Sequence, residues 1–226
     1  MFQRTTEGRL LIRRAVLEQV YFTAVQALPT VILFALITGS MLIFQFAKMT
    51  GQYDLGKTAV LILVREIGPI MTAILVILRS ATAVTIEISY MNVLHEIEAI
   101  EMTGIDPFRI LGLPRLIGIT SAILFLFIVF DIAAILGGYA MVWIVTDIPI
   151  GNFLWQIAKA ISVSDIAVGI VKALLFGITI TVTSLYHGFE AIKQMPTVPI
   201  KTSRAAVECY FFCLLFNVWT SLLFYL

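Results

Sequence analysis

Apolar residues in this chain run in long blocks, separated by short clusters of charge, glycine and proline. From Ala27 to Ala47 no charged residue occurs, and a stretch of about 20 residues is what a helix needs to cross the hydrocarbon of a bilayer. It is the clearest predicted span. A polar turn from Lys48 to Lys57, with Gly51 and Asp54, leads into a second apolar segment from Thr58 to about Tyr90. That segment carries Arg65-Glu66 near its start, Arg79 and Glu87 deeper, and Gly68-Pro69, where the missing backbone donor predicts a kink. A third block, Leu116 to Val145, has Asp131 as its only charge, and its Gly137-Gly138 pair allows close backbone approach. A fourth, Ile166 to Tyr186, holds Lys172, and a fifth, Ala205 to Leu226, holds Glu208; both charges sit near enough to span ends to be read as snorkelling anchors.

Ahead of the first span, Glu7 to Leu28 alternates charged and apolar residues without proline, as expected of a helix lying at the membrane surface with its arginines towards head groups. Arg9 and Arg13 fall on one side and Arg14 and Glu18 on another, so a plain cytosolic helix is the alternative. The expected fold is therefore all-α: one domain over 1–226, with an interfacial helix in 1–28 and a five-span bundle in 29–226.

Composition agrees. Hydrophobic residues make up 60% of the chain and charged ones 13%, about half of what a soluble domain carries, and mean hydropathy is +1.02. The net charge of +1 provides no field for nucleic acid. Arg4, Arg9, Arg13 and Arg14 precede a mixed polar stretch instead of a short apolar core with a cleavage site, so the spans themselves are expected to direct insertion. Arginine and lysine then set orientation. With the N-terminus inside, the inner segments hold Arg4, Arg9, Arg13, Arg14, Arg109, Arg115, Lys193, Lys201 and Arg204, against Lys48, Lys57 and Lys159 outside. The C-terminus is then outside. In the outer connection from Thr146 to Asp165, the spacing of Phe153, Leu154, Trp155, Ile157 and Ala158 suggests a short helix on the outer leaflet.

The most polar inner stretch runs from Asn92 to Arg109. Val93 to Thr103 is rich in helix formers, Gly104 suits the left-handed residue that ends a helix, and Asp106 and Pro107 suit the cap and first position of the next one. A helix bearing Glu96, Glu98 and Glu101 beside Ile97, Ile100 and Met102 can dock into a soluble partner, or can be a solvated connector.

Catalytic and metal chemistry is hard to assemble from what remains. His95 and His187 are isolated, Ser184 and His187 share a turn without a carboxylate or nucleophile loop, and no phosphate-binding glycine loop with lysine occurs. Neither a metal site nor a catalytic residue is assigned, and no ATP hydrolysis is expected on this chain. Cys209 and Cys213, one helical turn apart, are expected to be reduced. The intramembrane charges have two readings. Arg65, Glu66 and Arg79 either line a lipid path, arginine being suited to phosphate, or pair within the bundle. Glu87 and Asp131 are read as structural, for example as partners of Arg79.

Several motifs in order resemble a known family: Val64-Arg-Glu-Ile-Gly-Pro-Ile-Met-Thr-Ala-Ile-Leu75, Arg79-Ser-Ala, Thr85-Ile-Glu-Ile, His95-Glu-Ile-Glu-Ala-Ile-Glu-Met-Thr-Gly-Ile-Asp-Pro107 and Leu113-Pro-Arg115. Together they look like the MlaE (YrbE-type) permeases of MCE-associated ABC transporters. The resemblance implies a homodimer, each subunit with an elbow helix and five spans, bound to a cytosolic ATPase that carries ATP and Mg and to a periplasmic MCE-domain protein. It implies movement of phospholipid between inner and outer membranes. It also implies that the segment with Glu98, Ile100, Glu101, Met102, Gly104, Asp106 and Pro107 is the coupling helix to the ATPase. Two departures stand out: the inner loop Lys193 to Arg204 contains Pro196 and Pro199, expected to stiffen it, and Asn217 stands where an acidic residue is common. The alternatives are an ion-coupled secondary transporter using Arg79, Glu87 and Asp131, which lacks the repeat symmetry usual in such proteins, and a membrane-bound lipid enzyme.

Overall fold

A computed structural model describes residues 6–50, 55–146, 161–191 and 194–225, with the single positions 151, 155 and 158. The expected outer-leaflet helix around 153–158 and Lys193 fall outside the described residues. Helix α1 (Thr6–Thr23) passes through a 3-10 turn (Val25–Ala27) into α2 (Leu28–Thr50). The second span is built in pieces: α3 (Leu55–Ile62), a π segment (Leu63–Ile67), α4 (Gly68–Val76), a second π segment (Ile77–Ala81) and α5 (Thr82–Val93). After the short α6 (Glu96–Met102), a third π segment (Phe108–Gly112) opens into α7 (Leu113–Thr146), followed by α8 (Val163–Phe189) and α9 (Thr197–Tyr225). Among the described residues, five stretches are long and apolar enough to cross a membrane: Ile12–Phe46, Ala59–Val93, Phe108–Ile144, Val163–Phe189 and Thr197–Phe224.

The breaks follow from local chemistry. Pro69 has no N–H to give the carbonyl of Arg65, four residues back, and its ring crowds that oxygen. The helix widens just before it, and the Gly68 N–H reaches back to the Leu63 carbonyl. At the other end, Pro199 sits in the first turn of α9, where a backbone donor would have no partner. The sequence reading placed Pro199 in a stiff loop and began the last helix at Ala205. Instead the prolines start that helix, eight residues earlier, at Thr197.

Half of the most apolar window of the second and fourth spans is buried inside the chain, against 28% for the first and 22% for the fifth. The third, at 44%, joins the second and fourth as central, and the first and fifth are peripheral. Phe130, Phe176, Ile123, Leu126 and Ile180 fill the interior, while Leu33, Ile37 and Met41 on α2 and Phe211, Leu215 and Val218 on α9 point outward, as lipid-facing residues do. The expectation for Gly137-Gly138 holds. A Cβ on Gly137 would lie 2.5 Å from the Leu36 carbonyl oxygen, one on Gly138 would overlap the Ile43 side chain, and one on Gly39 would overlap the Ala134 carbonyl. Small residues thus bring the backbones of α2 and α7 into contact. On the far side of the bundle, Gly177 of α8 meets Thr120 of α7 in the same manner. Cys209 and Cys213 are buried free thiols.

Candidate functional site

At the end of the bundle remote from α6, charges from the second and fourth spans converge with polar side chains of the fifth. Because Pro69 cannot bond the Arg65 carbonyl, that oxygen needs another donor, and Lys172 Nζ supplies it at 2.9 Å. The same ammonium donates to Glu66 Oε1 at 3.0 Å and to Ser221 Oγ at 2.8 Å. Glu66 in turn accepts from Ser221 Oγ at 2.7 Å and, through Oε2, from Asn217 Nδ2 at 2.7 Å. Arg65 Nη2 lies 2.7 Å from Asp165 Oδ1. Asp165 also accepts from the Ser162 backbone N–H, in a reciprocal capping box that starts α8. Two cations thus face two carboxylates, every bond charge-assisted. Lys172 is fully buried and Asp165 nearly so, while Arg65 and Glu66 each leave 33% of the side chain uncovered.

Lys172 is no anchor: it lies nine residues into α8, about 13 Å along the axis, and turns inward to fill a vacancy made by a proline on another span. The signal was present in the sequence as that proline. Asp165 and Ser221 were also missed, whereas Asn217 had been noticed only as a departure; here it hydrogen-bonds the acid of the second span.

Arg79 does not join this cluster. It is fourteen residues beyond Arg65, about 21 Å along a helix, where Nη2 donates to Gln26 Oε1 at 2.9 Å and the guanidinium stacks 5.6 Å from the Phe22 ring. The suggested pairing of Arg79 with Glu87 or Asp131 is therefore corrected: α1 and its 3-10 turn reach Arg79 first. Glu87 pairs instead with Arg115 at 2.8 Å, and Asp131 packs its Oδ1 on the α-carbon face of Gly68, where a Cβ would collide with it. Glu208 finds His187 Nε2 at 2.7 Å and is a bundle partner as well as a span-end charge.

The opposite end carries α6. The helix expected from Val93 to Thr103 is interrupted at His95, whose φ of 59° is left-handed, so α5 ends and α6 starts afresh at Glu96. Gly104 ends it with φ of 76° as expected, and Asp106 Oδ1 accepts the Phe108 N–H at 3.0 Å as a cap does. Ile97 and Pro107 are buried, Ile100 is half-buried, and Glu101 and Met102 are exposed, Met102 by 90%. His95 Nδ1 lies 2.8 Å from Glu98 Oε2. The mount is fixed: Asn92 Nδ2 donates to the carbonyls of Phe189 at 2.7 Å and Ala191 at 2.9 Å, closing the C-terminal end of α8. Asn92→Leu leaves both oxygens without that donor and is expected to cost about 1–3 kcal/mol. It should lower the melting temperature and speed amide exchange over 94–106; unchanged exchange there would show that α6 is held by other contacts.

Against known proteins, a family profile described as "Permease MlaE" matches residues 16–223, nearly the whole bundle. The chain belongs to the MlaE permease family. Similar proteins agree. A "Probable ABC transporter permease protein" of Rickettsia conorii is 27% identical over 214 residues, covering 93% of this chain and 83% of that protein. The "Intermembrane phospholipid transport system permease protein MlaE" of Haemophilus influenzae is 28% identical over 196 residues, covering 84% and 75%. A "Probable ABC transporter permease protein" of Pyropia yezoensis is 25% identical over 215 residues, covering 90% and 82%. As a member of this permease family, the chain is a multi-pass membrane protein with an ABC permease role.

Proposed function

We propose that this MlaE-family chain, as a homodimer, is the permease subunit of a transporter that moves phospholipids between inner and outer membranes. A separate cytosolic ATPase, holding ATP and Mg, drives it, and a periplasmic MCE-domain protein receives or delivers the lipid. The observation that carries the reading is α6: an acidic, outward-projecting helix with an exposed methionine, mounted rigidly between two spans, is a docking element for a motor on another chain. The relatives named as ABC transporter permeases, one of them for phospholipid, support it. In this reading α6 and the N-terminus lie on the cytosolic side of an inner membrane and the C-terminus in the periplasm, an orientation that the distribution of arginine and lysine supports.

In this reading Glu98, Ile100, Glu101, Met102, Gly104, Asp106 and Pro107 form the coupling segment. Arg65 and Glu66, partly uncovered and held by Asp165 and Lys172, offer adjacent positive and negative charge to the head group of a lipid. Arg79, on the far side of the Gln26 turn, is a separate contact with the lipid path. Glu98→Lys with Glu101→Lys in the co-expressed complex should reduce ATP-driven lipid transfer by about tenfold or more, since like charge across a docked interface costs several kcal/mol. Transfer at the original rate, or purification with no ATPase attached, would sink the coupling role. The ion-coupled alternative needs Arg79, Glu87 and Asp131 at one site, and Gln26, Arg115 and Gly68 are instead their respective neighbours.

A further inference from the structure

A groove of about 330 Å3 opens between α1, α5 and the start of α7, lined by Glu18, Phe22, Val84, Glu87, Ile110 and Arg115 among others. That volume is at the small end of ligand sites, roughly 300–1,000 Å3. Its depth in the bilayer can be counted. Spans of 35 and 37 residues are about 52–55 Å long, against about 30 Å of hydrocarbon, so each end projects by about 10 Å. Arg115 is seven residues from Phe108, and Glu87 six residues from Val93, about 9–10 Å in from the α6 end. Both therefore sit where lipid head groups meet acyl chains.

Arg115 is the unusual member. Its residue surface is 8% exposed; Nη2 is taken by Glu87 at 2.8 Å, and Nη1 is buried with no hydrogen-bond partner among the described residues. An arginine so enclosed and half satisfied calls for an anion. The remaining charges limit which one. Glu87 keeps 62% of its side chain open, and Glu18, bound to Arg14 at 3.1 Å, keeps 68%. Arg14, paired with Glu18, and Arg79, stacked on Phe22, are further cations beside the groove. Glu18 and Glu87 each face an arginine and remain largely open, so the groove presents charge of both signs side by side, which suits a zwitterion. Phe22, Val84 and Ile110 offer its chains an apolar wall.

We propose that this groove binds a bilayer phospholipid with a primary-amine head group, its phosphate on Arg115 and its ammonium between Glu87 and Glu18. The site is separate from the Arg65 and Lys172 cluster at the other end and does not depend on transport.

The test uses the full-length protein, with any co-purifying partners, in nanodiscs containing phosphatidylethanolamine with a photoreactive acyl chain. Cross-links should map to 15–22, 83–87 and 110–115, exceed those from the matching phosphatidylglycerol probe, and persist in the presence of soluble phosphoethanolamine. Ala83→Phe, which fills the groove, should lower labelling there by about tenfold, and Glu18→Gln, at an exposed position that leaves the core intact, should remove the preference for the amine. Equal labelling by phosphatidylglycerol, cross-links confined elsewhere, displacement by phosphoethanolamine alone, or an unchanged preference in Glu18→Gln would each overturn the proposal. Should Ala83→Phe fail to fold, the Glu18→Gln comparison decides.

Discussion

Lys172→Met is expected to destabilise the bundle by about 3–5 kcal/mol, the usual consequence of removing one partner from a buried ion pair. Three acceptors lose their donor together: the Arg65 carbonyl, Glu66 and Ser221 Oγ. The carbonyl has no helical substitute, because the residue four positions on is Pro69. For a chain of this size the melting temperature should drop by about 10 °C, measured by thermal unfolding in nanodiscs. Lys172→Met combined with Glu66→Gln removes the stranded charge and should recover much of the loss, which separates an electrostatic role from simple packing. A single variant that melts with the native protein would show that the cluster contributes nothing to stability.

Gly39→Leu should be severely damaging, because Gly39 is a buried position on an otherwise largely lipid-facing helix. Its Cβ would overlap the carbonyl oxygen of Ala134 and stand 2.7 Å from that residue's Cα, and a helix backbone cannot move aside as a side chain can. Overpacking of this kind costs about 1–3 kcal/mol for a methylene or two, and three further carbon atoms must also be housed. The helices have to separate, which exposes Gly137 and Gly138 as well. Loss of monodisperse protein, or a fall in melting temperature exceeding that of Gly39→Ala, is the expected readout. Ala134→Gly in the same chain should not rescue it, since the obstacle is the carbonyl and not the Ala134 methyl; rescue would place the contact elsewhere. Gly104→Ala is the useful contrast. Nothing lies within 4 Å of a Cβ there, so only the left-handed backbone resists, at about 1 kcal/mol.

The five spans were legible because lipid selects on length and apolarity, which a linear sequence displays directly. Pro69, Gly104, Asp106 and the Gly137-Gly138 pair were legible because each has a backbone consequence independent of its neighbours. Partnerships across spans were not. Lys172 looked like a span-end charge, and only the position of Ser221 and Glu66 on other helices shows why it turns inward. Pairing of Arg79 with Glu87 or Asp131 is one reading the sequence allows, but the elbow turn at Gln26 folds back over it. His95 broke the α6 helix where its neighbours favoured continuity, because the chain has to turn sharply between α5 and α6. Each miss concerns what a residue faces, a property set by packing that a single sequence does not print.

The polar cluster also sets an order of events during synthesis. Glu66 emerges from the ribosome about a hundred residues before Lys172 and about 150 before Asn217 and Ser221. At roughly 5–20 residues per second, the second span waits in the insertion machinery for several seconds to half a minute with its carboxylate and arginine unmatched. Its charges are accommodated only when the fourth and fifth spans arrive. A stop codon before residue 217 therefore does more than shorten a peripheral helix: it leaves the central one unfinished, and such a chain should be a substrate for membrane quality control.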